Sequence, residues 1–242
     1  MKSLVAAVVL LCLIAVPATA QIPDEFTNLK IFPEDIGKRE LISVMRQFAG
    51  GLGVRCNHCH VGPDNLQGMD FATDELEPKR VARAMIKMTG EINDKLLPTT
   101  GRDSLLSVRC VTCHRGIARP EQLDDVLSAA LDEGDVDSAI GRYRELRDEH
   151  YGSGAYDFSA GTLSGLAETV AREKRDMDGA IKVVELSLEF DPDQSYSHLM
   201  LGQLHMQKGD KDAAIASIKR AIAIEPDNEH AKRMLKQIES AE

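Results

Sequence analysis

Four of the five cysteines in this 242-residue chain fall into two strings of one form, "CNHCH" at residues 56–60 and "CVTCH" at residues 110–114. Each string sets two thiols three positions apart, the separation that brings side chains onto one face of a helical turn, and places an imidazole directly after the second thiol. The chain must therefore fold so as to present two such turns. The fifth cysteine, Cys12, lies in an apolar run from Leu4 to Val16 that follows Lys2 and precedes Ala18-Thr19-Ala20. That arrangement has the form of a signal peptide cleaved after Ala20. The run is shorter than the roughly 20 residues of a membrane span, and no small residues precede Cys12 as a lipid anchor requires. The mature chain is expected to be exported to the periplasm or the exterior, with no membrane span and no thiol outside the two strings.

The two parts of the mature chain differ in texture. Residues 21–120 hold both cysteine strings and stretches such as "VGPDNLQGMDFATDELEP", in which turn-forming residues interrupt any helical pattern. Residues 121–242 are free of cysteine and almost continuously helical in pattern. Within them Ser195 to Asn228 forms a 34-residue segment, and both Pro192 and Pro226 and Ala180 and Ala214 are 34 apart. This segment resembles a tetratricopeptide repeat, with Leu201-Gly202, Ala214, Ala221 and Pro226 at that family's characteristic positions. Small residues let the paired helices approach closely, and proline ends the second helix. His198 and His205 stand where aromatics are usual, and Ala167-Glu168 replaces Leu201-Gly202 in the preceding unit. A weaker first unit spans "LDDVLSAALDEGDVDSAIGRYRELRDEH", and "EHAKRMLKQIES" has the amphipathic form of a capping helix. The expected architecture is all-α: a signal peptide at 1–20, a helical domain at 21–120, and a repeat solenoid of two to three units plus cap at 121–242.

Three chemistries compete for the cysteine strings. A four-cysteine zinc ribbon wants its pairs about 15 to 20 residues apart, whereas these are 54 apart and their histidines would go unused. A thioredoxin-like redox pair sits at a strand-to-helix turn, and no strand pattern precedes either string. Structural disulfides would not need the histidines. Covalent haem attachment uses every residue: two thiols add to the two vinyl groups of the porphyrin, and the imidazole reaches the iron. The expectation is two covalently attached haem c groups, held by Cys56 and Cys59 and by Cys110 and Cys113, with His60 and His114 as proximal iron ligands and each string on the first turn of a helix.

Upstream of each string lies an amphipathic stripe: Leu41, Met45, Phe48 and Leu52 before the first, and Val81, Met85, Met88, Ile92 and Leu96 before the second. A methionine on such a stripe ordinarily fills a core. Two of these helices, each preceding a string, favour distal iron ligands instead. The stretch from Asn28 to Pro120, through "LISVMRQFAGGLGVRCNHCHVG", "VARAMIKMTGEIN" and "VRCVTCHRG", resembles the multihaem cytochrome subunit of photosynthetic reaction centres and its smaller relatives. That resemblance implies units built of a helix bearing a methionine ligand, a loop, and a helix beginning with the haem string. It matches Met45 to the first distal ligand and Met85 to the second, with Met88 as the other candidate. Two strings stand here where the photosynthetic subunit commonly has four. The glycines of "GGLG" at 50–53 are expected to end the helix and permit close approach to the porphyrin. His58 is expected at the surface, and Met69, His150, His198, His205 and His230 are expected to be structural.

A haem with both axial positions filled passes electrons and does not readily bind substrate. These residues therefore predict an exported electron-transfer protein and not an enzyme, with redox protein partners docking through the repeats. The rival readings are a self-assembling or scaffold cytochrome, such as a haem filament, and a dihaem peroxidase with one open distal position. A net charge of −10, or −11 once Lys2 is removed, disfavours nucleic acid and anionic membrane as partners.

Overall fold

In the computed structural model residues 22–101 and 106–240 are described; the segment read as a signal peptide lies outside them. Among the described residues the chain is all-α. No strand forms, and an isolated antiparallel bridge joins Val61 and Asp70. No helix there is long and apolar enough to cross a membrane. The chain divides into two units, one ending at Cys113 and the other beginning at His114, so the division falls inside the second cysteine string.

In the first unit, α1 (Lys38–Leu52) carries the stripe of Leu41, Met45 and Phe48 and ends at Gly53, whose φ of 66° opens the left-handed turn that closes the helix. The other glycines of "GGLG" are not the stop. Gly51 is buried inside α1, and a Cβ on it would stand 3.1 Å from the Val111 nitrogen and 3.3 Å from Cys110 Cβ. Gly51 permits a close approach between α1 and the second cysteine string. Helix α2 (Glu77–Glu91) starts with proline in its first turn and runs into a π-helical turn, Ile92–Leu96, and a 3-10 turn, Leu97–Thr100. The described part of the unit closes with α3 (Cys110–His114), which crosses into the second.

The second unit stacks helix pairs: α4 (Leu123–Glu133) with α5 (Val136–His150), α6 (Ala160–Thr169) with α7 (Met177–Phe190), α8 (Ser195–Lys208) with α9 (Lys211–Ile224), and then α10 (Glu229–Glu239). The 34-residue period is enforced by the chain's stops and starts. Arg175 and Gly209, one period apart, both adopt positive φ at helix ends, at 56° and 87°. Asp176 and Asp210 then cap α7 and α9 by accepting from the N–H of Gly179 and Ala213, and Gln194 and Asn228 cap α8 and α10 in the same way. Asp135 caps α5 likewise, but the longer connection from Tyr151 to Ser159 puts this first pair out of the 34-residue phase, which is why its pattern is weak in the sequence. Ala180 and Ala214 are both fully buried, and a Cβ on Gly202 would come within 2.6 Å of Ile218 Cγ1. Contact this close explains why the α8–α9 pair needs glycine where α6 has Glu168, which is exposed and paired with Arg172.

Candidate haem sites

The first string does not open a helix. Cys56–His58 is a single 3-10 turn in which the Cys56 carbonyl accepts from the N–H of Cys59 at 3.2 Å and of His60 at 3.0 Å. The chain then leaves helical geometry because the loop that follows must fold back on itself. The Asp70 N–H donates to the Val61 carbonyl at 2.7 Å, and Gly62, at φ 147°, lies so near Met69 that a Cβ would meet Met69 Cα at 2.7 Å. This replaces the expected first turn of a helix with a turn and a closed loop. The Cys56, Cys59 and His60 side chains still come from one turn, and the cysteines carry no disulfide. His58, which ends the turn, is half-buried.

The returning loop builds the surroundings of His60. The Asp70 carboxylate accepts from the N–H groups of Ala72 and Thr73 at 2.8 and 2.9 Å, and the Phe71 ring packs at 5.1 Å from the His60 ring, tilted by 60°. Lys79, on the first turn of α2, is 9% exposed, and its ammonium donates to the carbonyls of Phe71, Ala72 and Thr73 at 2.8, 3.1 and 2.6 Å. Burial and then the Lys79 charge pull the His60 pKa below its ordinary value. Both effects favour the neutral imidazole, the form in which it offers a lone pair to a metal. Its Nδ1 is buried without a formed hydrogen bond.

The second string does form a short helix, α3. Its start is tied by a reciprocal pair: Thr112 N–H donates to the Arg109 carbonyl at 2.9 Å, and Arg109 N–H donates to Thr112 Oγ1 at 3.0 Å. His114 Nδ1 lies 3.1 Å from the Ile117 carbonyl. Donation from Nδ1 leaves Nε2 as the free lone pair, the arrangement by which a backbone acceptor orients a metal-binding imidazole. Upstream, the Asn93 side chain bonds both backbone groups of Val108, two residues before Cys110. Burial raises the thiol pKa of Cys110, as it does that of Cys59.

Of the methionines on the two stripes, Met45 is half-buried on α1, while Met85 and Met88 on α2 are 40% and 46% exposed. Val81 and Leu96 on the same stripe are exposed too, and within α2 itself Lys79 is the buried residue. An amphipathic helix whose apolar face meets so little protein has room on that face for an apolar group such as a porphyrin. The donor set and this face fit a porphyrin tethered through thioethers. Met69 is buried in the loop, and His150 packs edge-on against Tyr156. His198 faces the Pro192 carbonyl at 2.9 Å, and His230 is exposed. Lys79, Phe71 and Asn93 carry no sequence signal, because nothing local to a lysine, a phenylalanine or an asparagine marks which distant group it will meet.

Residues 19–133 match the family model of the photosynthetic reaction centre cytochrome C subunit, and residues 171–238 match a tetratricopeptide repeat model. The chain resembles that cytochrome subunit, followed by tetratricopeptide repeats. It is 37% identical over 68 residues, 28% of its length, to the photosynthetic reaction center cytochrome c subunit of Roseobacter denitrificans. It is 32% identical over 76 residues, 31% of its length, to cytochrome c-554 of Chloroflexus aurantiacus. These stretches span 18% and 17% of the two relatives. The cytochrome resemblance implies covalently bound haem c.

Proposed function

We propose that this protein is an exported dihaem c-type cytochrome that transfers electrons and docks its redox partner through the repeats. The observation that carries the reading is that each Cys-x-x-Cys-His turn gathers two thiols and an imidazole while α2, with its methionines, leaves an apolar face exposed. When bound, each haem supplies a one-electron couple at iron. Cys56 and Cys59, and Cys110 and Cys113, hold the two macrocycles. His60 and His114 would each hold one iron, and Met45 and Met85 would supply the further protein ligands. A methionine and a histidine for each iron would leave no position for substrate, so the residues favour a carrier over a peroxidase. Residues 21–120 form the cytochrome domain and 121–242 the repeat domain in this reading.

The charge distribution supports the docking role. Residues 114–242 contain 16 Lys and Arg against 26 Asp and Glu, whereas residues 1–113 contain 13 of each. All of the net charge of −10 therefore belongs to the repeat side of the chain, and a basic protein surface is its natural complement. Expression in a host able to mature c-type cytochromes tests the proposal. Mass spectrometry should show two haem additions and loss of residues 1–20, and a reductive titration should resolve low-spin haems whose ferric forms do not bind cyanide. A bare polypeptide, or a haem that takes up cyanide, would overturn it.

A further inference from the structure

The surroundings of the two imidazoles differ in one respect that the shared string does not anticipate: a buried cation stands beside the first. Lys79 is held in the interior by three carbonyl oxygens, and one of them belongs to Phe71, whose ring packs on His60. Its nearest carboxylate is Asp74, at 3.4 Å. Asp74 is shared: it accepts from Lys30 at 2.6 Å and pairs with Arg83 at 2.7 Å. One negative charge thus serves three positive ones. Asp70, the other carboxylate close by, accepts from the N–H groups of Ala72 and Thr73 and its charge also acts on His60 and Lys79, so two carboxylates stand against three cations. The surplus is positive, and in an interior of reduced dielectric such a surplus acts at longer range than it would in water. Lys79 acts on both Cys59 and His60, whereas among the described residues no lysine or arginine so acts on Cys110 in the second string.

A second difference points the same way. The Phe71 carbonyl that acts on His60 is shared with the Lys79 ammonium, and His60 Nδ1 has no hydrogen bond of good geometry, whereas His114 Nδ1 has the Ile117 carbonyl at 3.1 Å. A carbonyl bonded to Nδ1 makes the imidazole a stronger donor, which favours oxidised iron, and a carbonyl polarised by a cation does so less.

We propose that Lys79 is a positioning and tuning residue of the first haem: its buried charge favours the reduced iron at His60, and its three bonds hold Phe71 against that imidazole. The first haem is then the one on which an electron rests, and the second has the lower potential. This rests on the dihaem reading above.

Redox titration of the full mature protein with both haems attached tests it, comparing wild type with Lys79→Met, Lys79→Arg and Asp74→Asn. Lys79→Met should shift the reduction equilibrium of one haem about tenfold toward the oxidised form, about 59 mV for a one-electron couple, and leave the other in place. Lys79→Arg should restore most of the shift, since it keeps the charge. Asp74→Asn, which removes the shared negative charge, should move the same midpoint upward, and it decides the matter if Lys79→Met does not accumulate. Two haems by mass with neither midpoint moved, or with both moved equally, overturns the role of Lys79 and leaves the dihaem reading standing. A polypeptide without haem overturns both.

Discussion

The Asn93 side-chain amide donates to the Val108 carbonyl at 2.9 Å and accepts from the Val108 N–H at 2.7 Å. An asparagine in this geometry does the work of a neighbouring strand, satisfying both backbone groups of a residue that has no ladder partner. Asn93 lies on the π-helical turn that continues α2, and Val108 lies two residues before Cys110. The pair therefore sets where the second cysteine string begins relative to the methionine-bearing helix. Asn93→Ala should cost about 1–3 kcal/mol, the range for leaving partly buried polar groups unmatched, read by chemical denaturation followed by circular dichroism. Mass spectrometry of the same variant should show incomplete haem addition at Cys110 and Cys113, with addition at Cys56 and Cys59 unaffected.

The two methionines of α2 make separable predictions. Met85→Ala should remove the share of the far-red absorption band due to methionine ligation of the second haem, and Met88→Ala should leave that band intact. Met45→Ala should remove the share of the first haem. If Met88→Ala is the variant that loses the band, the distal ligand lies one turn further along the same face.

Gly202 has no room for a side chain. With Ile218 Cγ1 at 2.6 Å and the Ala214 carbonyl at 3.3 Å from the place of a Cβ, Gly202→Val should cost about 1–3 kcal/mol, the range for overpacking a filled core. Thermal unfolding should report the loss, while the haem spectrum of folded protein stays that of wild type because the substitution lies in the repeats.

Asp74 predicts acid sensitivity. Hydrogen bonds from Arg83 and Lys30 hold its carboxyl well below the usual carboxylate range. A carboxyl depressed in the folded state contributes stability that is present above its unfolded value, about 3.9, and that is lost as pH falls toward the folded one. Wild type should therefore lose stability below about pH 4 more steeply than Asp74→Asn, which has no proton to take up there. Helical signal followed against pH distinguishes them.

Much of this architecture can be read from the chain alone. The 34-residue period appears in Pro192 and Pro226 and in Ala180 and Ala214, because close helix pairing restricts those positions to very few residue types. The stripe of α2 is equally legible, because a 3.6-residue period is a local property. The first cysteine string shows where such reasoning ends. Its spacing suits a helical turn, yet the bridge from Asp70 to Val61 and the crowding of Gly62 on Met69 bend the following chain into a loop, and these contacts join residues that carry no shared local pattern.

By itself, then, the sequence determined which side chains are available for chemistry and at what helical spacing, since both depend on residues a few positions apart. Tertiary structure alone decided that Lys79 is buried beside His60 while His114 faces the Ile117 carbonyl, and that Gly51 of α1 lies against Cys110. The physical reason is that burial, and the electrostatics that burial amplifies, arise from contacts between distant segments. Two copies of one short string can thereby come to hold imidazoles in different surroundings.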